Sequence, residues 1–332
     1  MAEVQTKKKI GVVRGGAHKD YYASIREGGD IITHIFENLS DKWKVIDIFI
    51  DRGGVWHWGG IQIEPQEIRE KLDLAWNTAT PETGNVLKNL SVPSINISSF
   101  STLLRQNSDM LREHLRDIGL NMPRRIVLPA YQEDFDQPTP RLRHGEAALE
   151  EYAAKKAKEI WQKFGAPWTV KTFTEDTDMG PARGREGSQR PSVSNGMGIH
   201  VVKTFPELVD AILEGVHHGK SILVEELIGG TPATVHSVAG FRDQEIYVFP
   251  PERIARDHKD TLEEVVKKLH DHLGVAHYLR SDFVIHPKRG IYVTEISFSP
   301  DLKKESHFHQ ICESVGAKAH HVIEHILERA VI

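Results

Sequence analysis

The segment from Arg280 to Pro300 decides the fold and reads RSDFVIH, then PKRG, then IYVTEISFSP. Two runs rich in apolar and β-branched residues flank the four residues PKRG, a pattern that predicts a β-hairpin. If those four residues form the loop, Asp282 lies opposite Glu295 and Arg280 lies opposite Ser297. The other face then carries apolar side chains that can be buried, so the hairpin has one apolar and one charged face.

The charged face of this predicted hairpin indicates a cation site. Two neighbouring carboxylates repel each other unless a cation lies between them, and hard oxygen ligands of this kind suit Mg²⁺. Arg280 on the same face and the exit sequence Ser-Phe-Ser-Pro favour a functional site. The alternative is a solvated hairpin face on which an Asp and a Glu occur together by chance.

The composition is that of a soluble globular chain. It has 332 residues, of which 39% are hydrophobic and 27% are charged, enough for two or three domains with cores. A net charge of -5 gives no basic field for nucleic acid. The single Cys312 excludes an internal disulfide and a cysteine-based zinc site, as is typical of a reducing cytoplasm. We therefore expect a cytoplasmic protein without nucleic-acid or membrane partners.

The 19 histidines form clusters such as His217-His218 and His307-Phe-His309. These clusters lie on helix-like stretches and lack the i, i+4 spacing that places two metal ligands on one helix face. We expect most of them to be surface or capping histidines rather than metal ligands.

Strand and helix patterns alternate over the first hundred residues, which predicts a small parallel sheet. A Gly- and Trp-rich excursion over 52–60 interrupts the alternation. Later, a Gly-, Arg- and Ser-rich loop over 174–198 separates the strand Trp168–Phe173 from a strand that begins at Ile199. Its backbone amides and arginines would suit phosphates. The last predicted element is a helix from Phe308 to Ala330.

The order of these motifs resembles the ATP-grasp superfamily, most closely the D-alanine:D-alanine ligases. The likeness spans nearly the full chain: a βαβ domain, a strand with Lys171, a glycine loop, the Val-Glu-Glu strand at Glu225, then Arg280-x-Asp282 and Glu-x-Ser-x-Ser-Pro. It implies a mixed α/β and α+β fold, with an N-terminal βαβ parallel-sheet substrate domain over 1–101. A two-part ATP-grasp fold follows, with a central subdomain over 102–227 and a C-terminal, metal-binding subdomain over 228–332.

The resemblance also implies a reaction. In that family the carboxylate of the first amino acid takes the γ-phosphoryl group of ATP, and the amine of the second amino acid then displaces phosphate. The implied cofactors are ATP and Mg²⁺, with two ions expected and Mn²⁺ as an alternative. The implied partners are small amino-acid substrates and, in a homodimer, a second copy of the chain.

Residue by residue, the resemblance assigns three groups of site residues. The metal ligands are Asp282, Glu295 and Ser297. The catalytic or substrate-contacting residues are Arg280, Asp20 near the ammonium of the first substrate, and Ser306 near the carboxylate of the second. The nucleotide contacts are Lys171, Ser194, Gly196, Gly198, Glu225, Glu226 and Ile228. Two alternatives stay open: Lys171 as an ordinary strand-end lysine, and the turn over 185–188 as the one that covers the phosphates.

The chain also departs from the family pattern at several positions. Ser297 stands where the family has an asparagine, Met110 where it has a nucleotide-contacting lysine, and Pro232 where it has a ribose-binding glutamate. Asn77-Thr78 replaces a His-Gly pair. Between Pro251 and a predicted helix at Thr261 there is no room for the long loop that covers the substrates in that family, which exposes an acylphosphate to water unless another segment covers it.

Three functions agree with these patterns. The first is an ATP- and Mg²⁺-dependent D-alanine:D-alanine ligase or near relative that makes a cell-wall dipeptide. The second is a ligase of the same chemistry that joins a different carboxylate and amine. The third is a nucleotide-binding protein without ligase turnover, because Met110, Pro232 and Ser297 all weaken the expected ATP site.

Overall fold

The computed structural model describes residues 7–18, 21–96, 107–131, 146–173, 199–252 and 254–331. The described residues form two compact units. The first unit takes them from Met1–Leu120, Ala233–Phe283 and Glu295–Ile332, and the second from Asn121–Pro232 and Val284–Thr294. The division of the sequence into domains over 1–101, 102–227 and 228–332 stays a prediction.

The first unit begins with a six-stranded sheet in the order β4-β3-β2-β1-β5-β6. Its strands are β1 (Lys8–Gly15), β2 (Trp43–Ile50), β3 (Trp56–Trp58), β4 (Ile61–Ile63), β5 (Leu74–Asn77) and β6 (Ser94–Ile95). The pairs β1–β2, β1–β5 and β5–β6 are parallel, which confirms the predicted βαβ arrangement. The helices that follow these strands are α1 (Tyr21–Asn38), α2 (Pro81–Asn89) and α3 (Ser108–Asp117).

The excursion over 52–60 contains a strand that the sequence did not predict. Strand β3 pairs antiparallel with both β2 and β4, so this segment extends the sheet. Gly59 and Gly60 connect β3 to β4 with φ values of 55° and 90°. Two consecutive positive φ values are typical of a two-residue hairpin turn, and glycine adopts them at no steric cost.

The second unit contains a four-stranded sheet in the order β7-β10-β8-β9, in which all three pairs are antiparallel. Its strands are β7 (Arg125–Leu128), β8 (Trp168–Phe173), β9 (Ile199–Val202) and β10 (Ser221–Glu226). Two helices, α4 (Glu146–Lys163) and α5 (Phe205–His217), cover one apolar face of this sheet. Thr204 caps α5 in a capping box with Glu207, which fixes the start of that helix.

A third sheet has the order β12-β11-β13-β14. Its strands are β11 (Thr231–Ala239), β12 (Ile246–Val248), β13 (Tyr278–His286) and β14 (Gly290–Ser297), and the helices along this part of the chain are α6 (Arg256–His272), α7 (His307–Ser314) and α8 (Ala319–Val331). The predicted hairpin is therefore present as β13 and β14. Its loop contains three residues instead of four, because Gly290, with a φ of 82°, already belongs to β14.

The single predicted helix from Phe308 to Ala330 is wrong, because the chain forms α7 and α8 with a break between them. Gly316 adopts a φ of 71° just after α7, and its N–H bonds to the carbonyl of Glu313. A left-handed residue of this kind ends a helix. Within the described parts of the chain, we find no helix that is long and apolar enough to span a membrane.

Candidate active site

The hairpin of β13 and β14 presents a charged face, as its sequence predicts. Along β13, the buried Ser281, Phe283 and Ile285 alternate with partly exposed residues that include Arg280 and Asp282. Nη2 of Arg280 lies 2.6 Å from Oδ2 of Asp282 and 3.1 Å from Oε1 of Glu295. The two carboxylates therefore share one face and converge on one cationic nitrogen.

Arg280 relieves the repulsion between these carboxylates. Burial by itself would lower the pKa of the guanidinium, but the charge of Asp282, its hydrogen bond and the charge of Glu295 raise that pKa above its ordinary value. The three side chains are only 16% to 20% exposed, so their attraction is screened less than that of a surface pair. Together they carry one more negative than positive charge, which leaves the face attractive to a further cation.

A second group fixes the position of Asp282. The hydroxyl of Thr234 on β11 donates to Oδ1 of Asp282 at 2.8 Å, while Arg280 donates to the other oxygen. A carboxylate that accepts a bond at each oxygen is held in one orientation. The sequence analysis did not identify Thr234 as a site residue. A local signal exists, because His236 is also polar and lies two positions along the same strand, so both side chains are on one face.

The hydroxyls of Ser297 and Ser306 both form hydrogen bonds to other groups of the protein. The hydroxyl of Ser297 donates to the carbonyl of Ser299 at 3.1 Å. Ser306 is 5% exposed, donates to the carbonyl of Asp301 at 2.7 Å and caps α7 by accepting from the N–H of His309. The roles of Ser297 at a metal and of Ser306 at a substrate stay predictions.

A buried histidine, His236, pairs with the partly buried His307 in the same unit. Nε2 of His236 is 2.8 Å from Nδ1 of His307, and Nδ1 of His236 is 2.6 Å from the hydroxyl of Tyr278. His236 is 1% exposed, and burial, followed by the charges of His307 and Arg280, lowers its pKa well below its usual value. His236 is thus neutral, and one of its ring nitrogens donates while the other accepts.

Other histidines in the first unit are buried as well. His34 is 6% exposed and His270 is 2% exposed. Burial is the main reason that the pKa of each is lowered to about 4. Neither residue belongs to the sequence clusters for which surface or capping positions were expected, and that expectation stays a prediction for the clusters. A neutral imidazole can pack in a protein core when its charge is suppressed in this way.

The second unit carries the predicted nucleotide-contacting residues on neighbouring strands. Lys171 on β8 and Glu225 on β10 form an ion pair, with Nζ 3.9 Å from Oε2, and the two side chains are 28% and 20% exposed. Ile228 follows β10 and is 7% exposed. Lys171 is therefore paired within a partly buried environment, and its contact with a nucleotide stays a prediction.

Glu226 has a different environment from the one expected of a nucleotide contact. Its side chain is 7% exposed and lies between two guanidinium groups, with Arg124 2.9 Å from Oε2 and Arg289 2.7 Å from Oε1. Burial would raise the pKa of this carboxyl, but the two arginine hydrogen bonds outweigh it and lower the pKa to about 2. Both oxygens are occupied, so Glu226 cross-links β10 to the loop of the hairpin.

Four predicted site residues lie outside the described residues, namely Asp20, Ser194, Gly196 and Gly198. The open choice between the turns over 185–188 and 194–198 lies outside them too. These assignments stay predictions.

The structure describes the surroundings of most residues that depart from the family pattern. Asn77 is 7% exposed and donates to the carbonyl of Thr80, and the hydroxyl of Thr78 donates to the carbonyl of Val13. Pro232 is an exposed residue near the start of β11, and Met110 lies in the first turn of α3. Strand β12 ends at Val248 and α6 begins at Arg256, so the connection between them is short.

The residues present suit a magnesium site only in part. Over the part of the chain that the structure describes, no group of three His, Cys, Asp or Glu residues could hold a metal ion. Mg²⁺ in nucleotide sites is often bound by one or two carboxylates, with phosphate oxygens and water as the other ligands. Asp282 and Glu295 fit that pattern, because they already converge on one cation.

Comparison with known proteins supports the same pattern. Residues 237–328 match the family model described as D-ala D-ala ligase C-terminus. A D-alanine–D-alanine ligase of Carboxydothermus hydrogenoformans is 25% identical over 350 residues, which cover 96% of this chain and 97% of the relative. One from Haemophilus influenzae is 24% identical over 202 residues, covering 52% of this chain and 68% of the relative.

Solved structures have the same fold. D-alanyl-alanine synthetase A of Vibrio cholerae superimposes with a TM-score of 0.64 at 14% identity, covering 98% of this chain and 99% of that chain. The VanG D-Ala:D-Ser ligase of Enterococcus faecalis has a TM-score of 0.63 at 16% identity, covering 98% and 100%. A D-alanine–D-alanine ligase of Bacillus anthracis complexed with ATP has a TM-score of 0.58 at 17% identity, covering 98% and 97%.

Proposed function

Because this chain has the ATP-grasp fold and resembles the D-alanine–D-alanine ligases over nearly its whole length, we propose that it is an ATP-dependent carboxylate–amine ligase. It joins two amino acids through an acylphosphate and so forms a peptide bond. The observation that carries the proposal is the convergence of Asp282 and Glu295 on one cationic nitrogen of Arg280.

The charged face suits phosphoryl transfer. When bound, Mg²⁺ would be held by Asp282 and Glu295 and would neutralise charge on the phosphates. Arg280 lies between the two carboxylates and stays protonated, so it supplies a fixed positive charge. Attack of an amine on an acylphosphate creates a tetrahedral oxyanion, which a pre-positioned guanidinium stabilises. In our proposal Arg280 fills that role, and Thr234 keeps Asp282 oriented.

The nucleotide contacts belong to the proposal as well. Lys171 and Glu225 would bind phosphate and ribose or adenine, and Ile228 would supply an apolar surface. We assign Glu226 a supporting role, because its two oxygens are taken by Arg124 and Arg289. Ser306, Asp20 and the turn over 194–198 remain in the proposal as contacts to the substrates and phosphates.

The proposal also concerns which two amino acids the enzyme joins. The names of the relatives favour D-alanine for both positions. The family resemblance adds peptidoglycan synthesis, a cytoplasmic location and a homodimer to the proposal. Two features favour a different pair: Asn77-Thr78 replaces a His-Gly pair, and the connection from β12 to α6 is short. The name of the VanG relative, a D-Ala:D-Ser ligase, indicates that this fold accepts other second substrates.

The first experiment measures ADP release with ATP, MgCl₂ and pairs of amino acids. Asp282→Asn and Glu295→Gln should each lower the rate by about 10²- to 10³-fold, since one preorganised charge contributes about 3 to 4 kcal/mol to the transition state. Glu263→Gln is the matched control, because Glu263 pairs with Lys267 on the exposed surface of α6. Folded Asp282→Asn and Glu295→Gln variants with unchanged rates would contradict the proposal.

Two further measurements separate the alternatives. Mass spectrometry of products from D- and L-amino acids, alone and in pairs, distinguishes a D-alanine ligase from a ligase for another pair. Calorimetry with ATP and MgCl₂ addresses the third function, because a nucleotide-binding protein without turnover would bind ATP and release no ADP with any amine. Met110, Pro232 and Ser297 are the residues that favour this third function.

A further inference from the structure

Arg52 is an exposed arginine of the first unit that the proposed ligase chemistry does not use. It follows the end of β2, and its guanidinium carbon lies 5.0 Å from the ring centroid of Tyr21 and 5.0 Å from that of Tyr22. The two tyrosines begin α1, and their rings meet edge to face at 5.3 Å and 80°. The rings therefore form two walls of a corner in which cation–π attraction holds the guanidinium.

The loop that carries Arg52 is held by hydrogen bonds of its own. Oδ1 of Asp51 accepts from the N–H of Gly53 at 2.8 Å and from the N–H of Val55 at 2.9 Å, which is an Asx turn. Gly54 adopts a φ of 82°, and its N–H donates to the carbonyl of Asp51 at 3.1 Å. The side chain of Arg52 thus extends from a fixed backbone, so a ligand that binds it has less ordering cost to offset.

The positive charge of Arg52 has no carboxylate partner among the residues that the structure describes. The carboxylate next to it in the sequence, that of Asp51, bonds to backbone N–H groups instead, and the first turn of α1 contains no acidic residue. The described residues also supply no hydrogen-bond acceptor to the N–H donors of Arg52, and these donors lie in the plane of the guanidinium. Such a guanidinium can form parallel N–H bonds to both oxygens of a carboxylate.

The location is one at which parallel sheets bind ligands. Strands β1 and β2 are parallel and end at Gly15 and Ile50, so the start of α1 and the loop with Arg52 both follow the carboxyl edge of these strands. Open α/β sheets bind their ligands in the crevice outside that edge. Tyr22 is 64% exposed, which leaves an aromatic surface beside the guanidinium for an apolar group.

We propose that Arg52, Tyr21 and Tyr22 form a binding site for a small organic acid that carries an apolar group. The carboxylate accepts N–H bonds from the edge of the Arg52 guanidinium, and the apolar group covers the exposed ring of Tyr22. These contacts need neither a metal ion nor a nucleotide, so the inference goes beyond the ligase function and does not depend on it.

The test is a binding experiment on the full chain without ATP or metal. Calorimetry compares phenylacetate with 2-phenylethanol and 2-phenylethylammonium, which have similar size and different charge. We expect phenylacetate to bind at least about tenfold more tightly than 2-phenylethanol, because charge-assisted hydrogen bonds contribute about tenfold or more, and we expect the ammonium not to bind. Inorganic phosphate satisfies the same N–H donors without an apolar group and should bind more weakly than phenylacetate.

Substitutions at Arg52 separate its planar set of donors from its charge. Arg52→Gln should weaken phenylacetate binding by about tenfold or more. Arg52→Lys keeps the charge and should still weaken binding by about three- to tenfold, since an ammonium lacks the planar fork. Tyr22→Ala should weaken it by about two- to fivefold through loss of the aromatic wall. Arg26→Gln is the matched control, because Arg26 is an exposed arginine on the same helix as Tyr22, and it should leave binding unchanged.

The Nε–H resonance of Arg52 reports the contact directly and should shift as phenylacetate is added. Melting temperatures of all variants confirm folding, and Tyr22→Ala serves where a substitution at Arg52 fails to fold. Three results would overturn the inference. One is equal binding of phenylacetate and 2-phenylethanol, and another is phenylacetate binding that Arg52→Gln and Arg52→Lys both leave unchanged. The third is binding of inorganic phosphate as tight as that of phenylacetate.

Discussion

Two charged clusters in this molecule have opposite compositions. In the first unit, one guanidinium, that of Arg280, lies between the carboxylates of Asp282 and Glu295. In the second unit, one carboxylate, that of Glu226, lies between the guanidinium groups of Arg124 and Arg289. The first cluster has an excess of negative charge and the second an excess of positive charge.

The difference separates a candidate site from a structural cross-link. The first cluster has one more negative than positive charge, and each of its carboxylates has about four lone-pair positions, some of which can bind a further cation in addition to their partners within the protein. Glu226 has an arginine at each oxygen and is almost fully buried. A ligand would have to displace a charge-assisted hydrogen bond to reach it. The family resemblance assigned Asp282, Glu295 and Glu226 to ligand binding, and these roles stay predictions.

Arg280→Met should have the largest effect and tests the first cluster directly. It leaves two partly buried carboxylates side by side, and breaking a buried ion pair in this way costs about 3 to 5 kcal/mol of unfolding free energy. Millimolar MgCl₂ should restore part of that stability, because a ligand that binds only the folded state stabilises it. Urea unfolding with and without MgCl₂ measures both effects.

The matched control for this variant is Arg116→Met, which replaces an exposed arginine on α3. This control should change the free energy of unfolding little. If Arg280→Met were as stable as the unmodified chain, or if MgCl₂ had no selective effect on it, the two carboxylates would not form a cation site.

Acid should affect the two units in different pH ranges. The pKa of His34 and that of His270, both in the first unit, are about 4 in the folded chain and near 6.5 when unfolded. The unfolded state therefore binds protons first, and stability is lost as the pH falls from 6.5 towards 4, by up to about 3 kcal/mol for each histidine. The pKa of Glu226 in the second unit is about 2, so its contribution is lost only below pH 4.5.

Hydrogen exchange, measured as a function of pH on peptides from each unit, shows the pH range over which each unit loses protection. We expect protection in the first unit to decrease between pH 6.5 and 4 while protection in the second unit is retained. His270→Gln should flatten the decrease. Equal loss of protection in both units over the same pH range would contradict the assignment.

Glu226→Gln should have a smaller effect than Arg280→Met. The amide retains the shape and one acceptor, and the two arginines are 51% and 44% exposed, so water can solvate them. The expected loss is about 1 to 2 kcal/mol at pH 7, without any response to MgCl₂. The difference from the unmodified chain should vanish as the pH falls from 4.5 to 2. Glu214→Gln, which breaks an exposed pair with His200, is the control.

Much of the fold follows from sequence patterns, and so does the charged face of the hairpin. The alternation in β13 and β14 placed Asp282 and Glu295 on one face, because side chains alternate strictly along a strand. The environment of Glu226 could not be predicted in the same way. Arg124 and Arg289 are far from it in the sequence, and only the folded chain brings them to its two oxygens.

The buried histidines have a similar explanation. His236 lies on a strand beside apolar residues, but its partners His307 and Tyr278 come from α7 and β13. A sequence pattern reports periodicity within one element and carries no information about polar pairs between elements. Thr234 and His236, two polar residues at a spacing of two within a strand, were the one local signal of a polar face on β11.

Ser306→Ala should have the smallest effect on stability and tests whether internal hydrogen bonding excludes a ligand role. Ser306 caps α7, and loss of such a cap costs about 1 kcal/mol. Ser306→Thr keeps a capping hydroxyl and should restore most of this stability. If Ser306 only caps the helix, then KM for the second amino acid is the same in the unmodified chain and in Ser306→Ala. If it also binds the substrate carboxylate, that KM rises about tenfold or more in Ser306→Ala. Such a rise would mean that a polar group with internal partners can still contact a ligand, and it would reopen the question for Glu226.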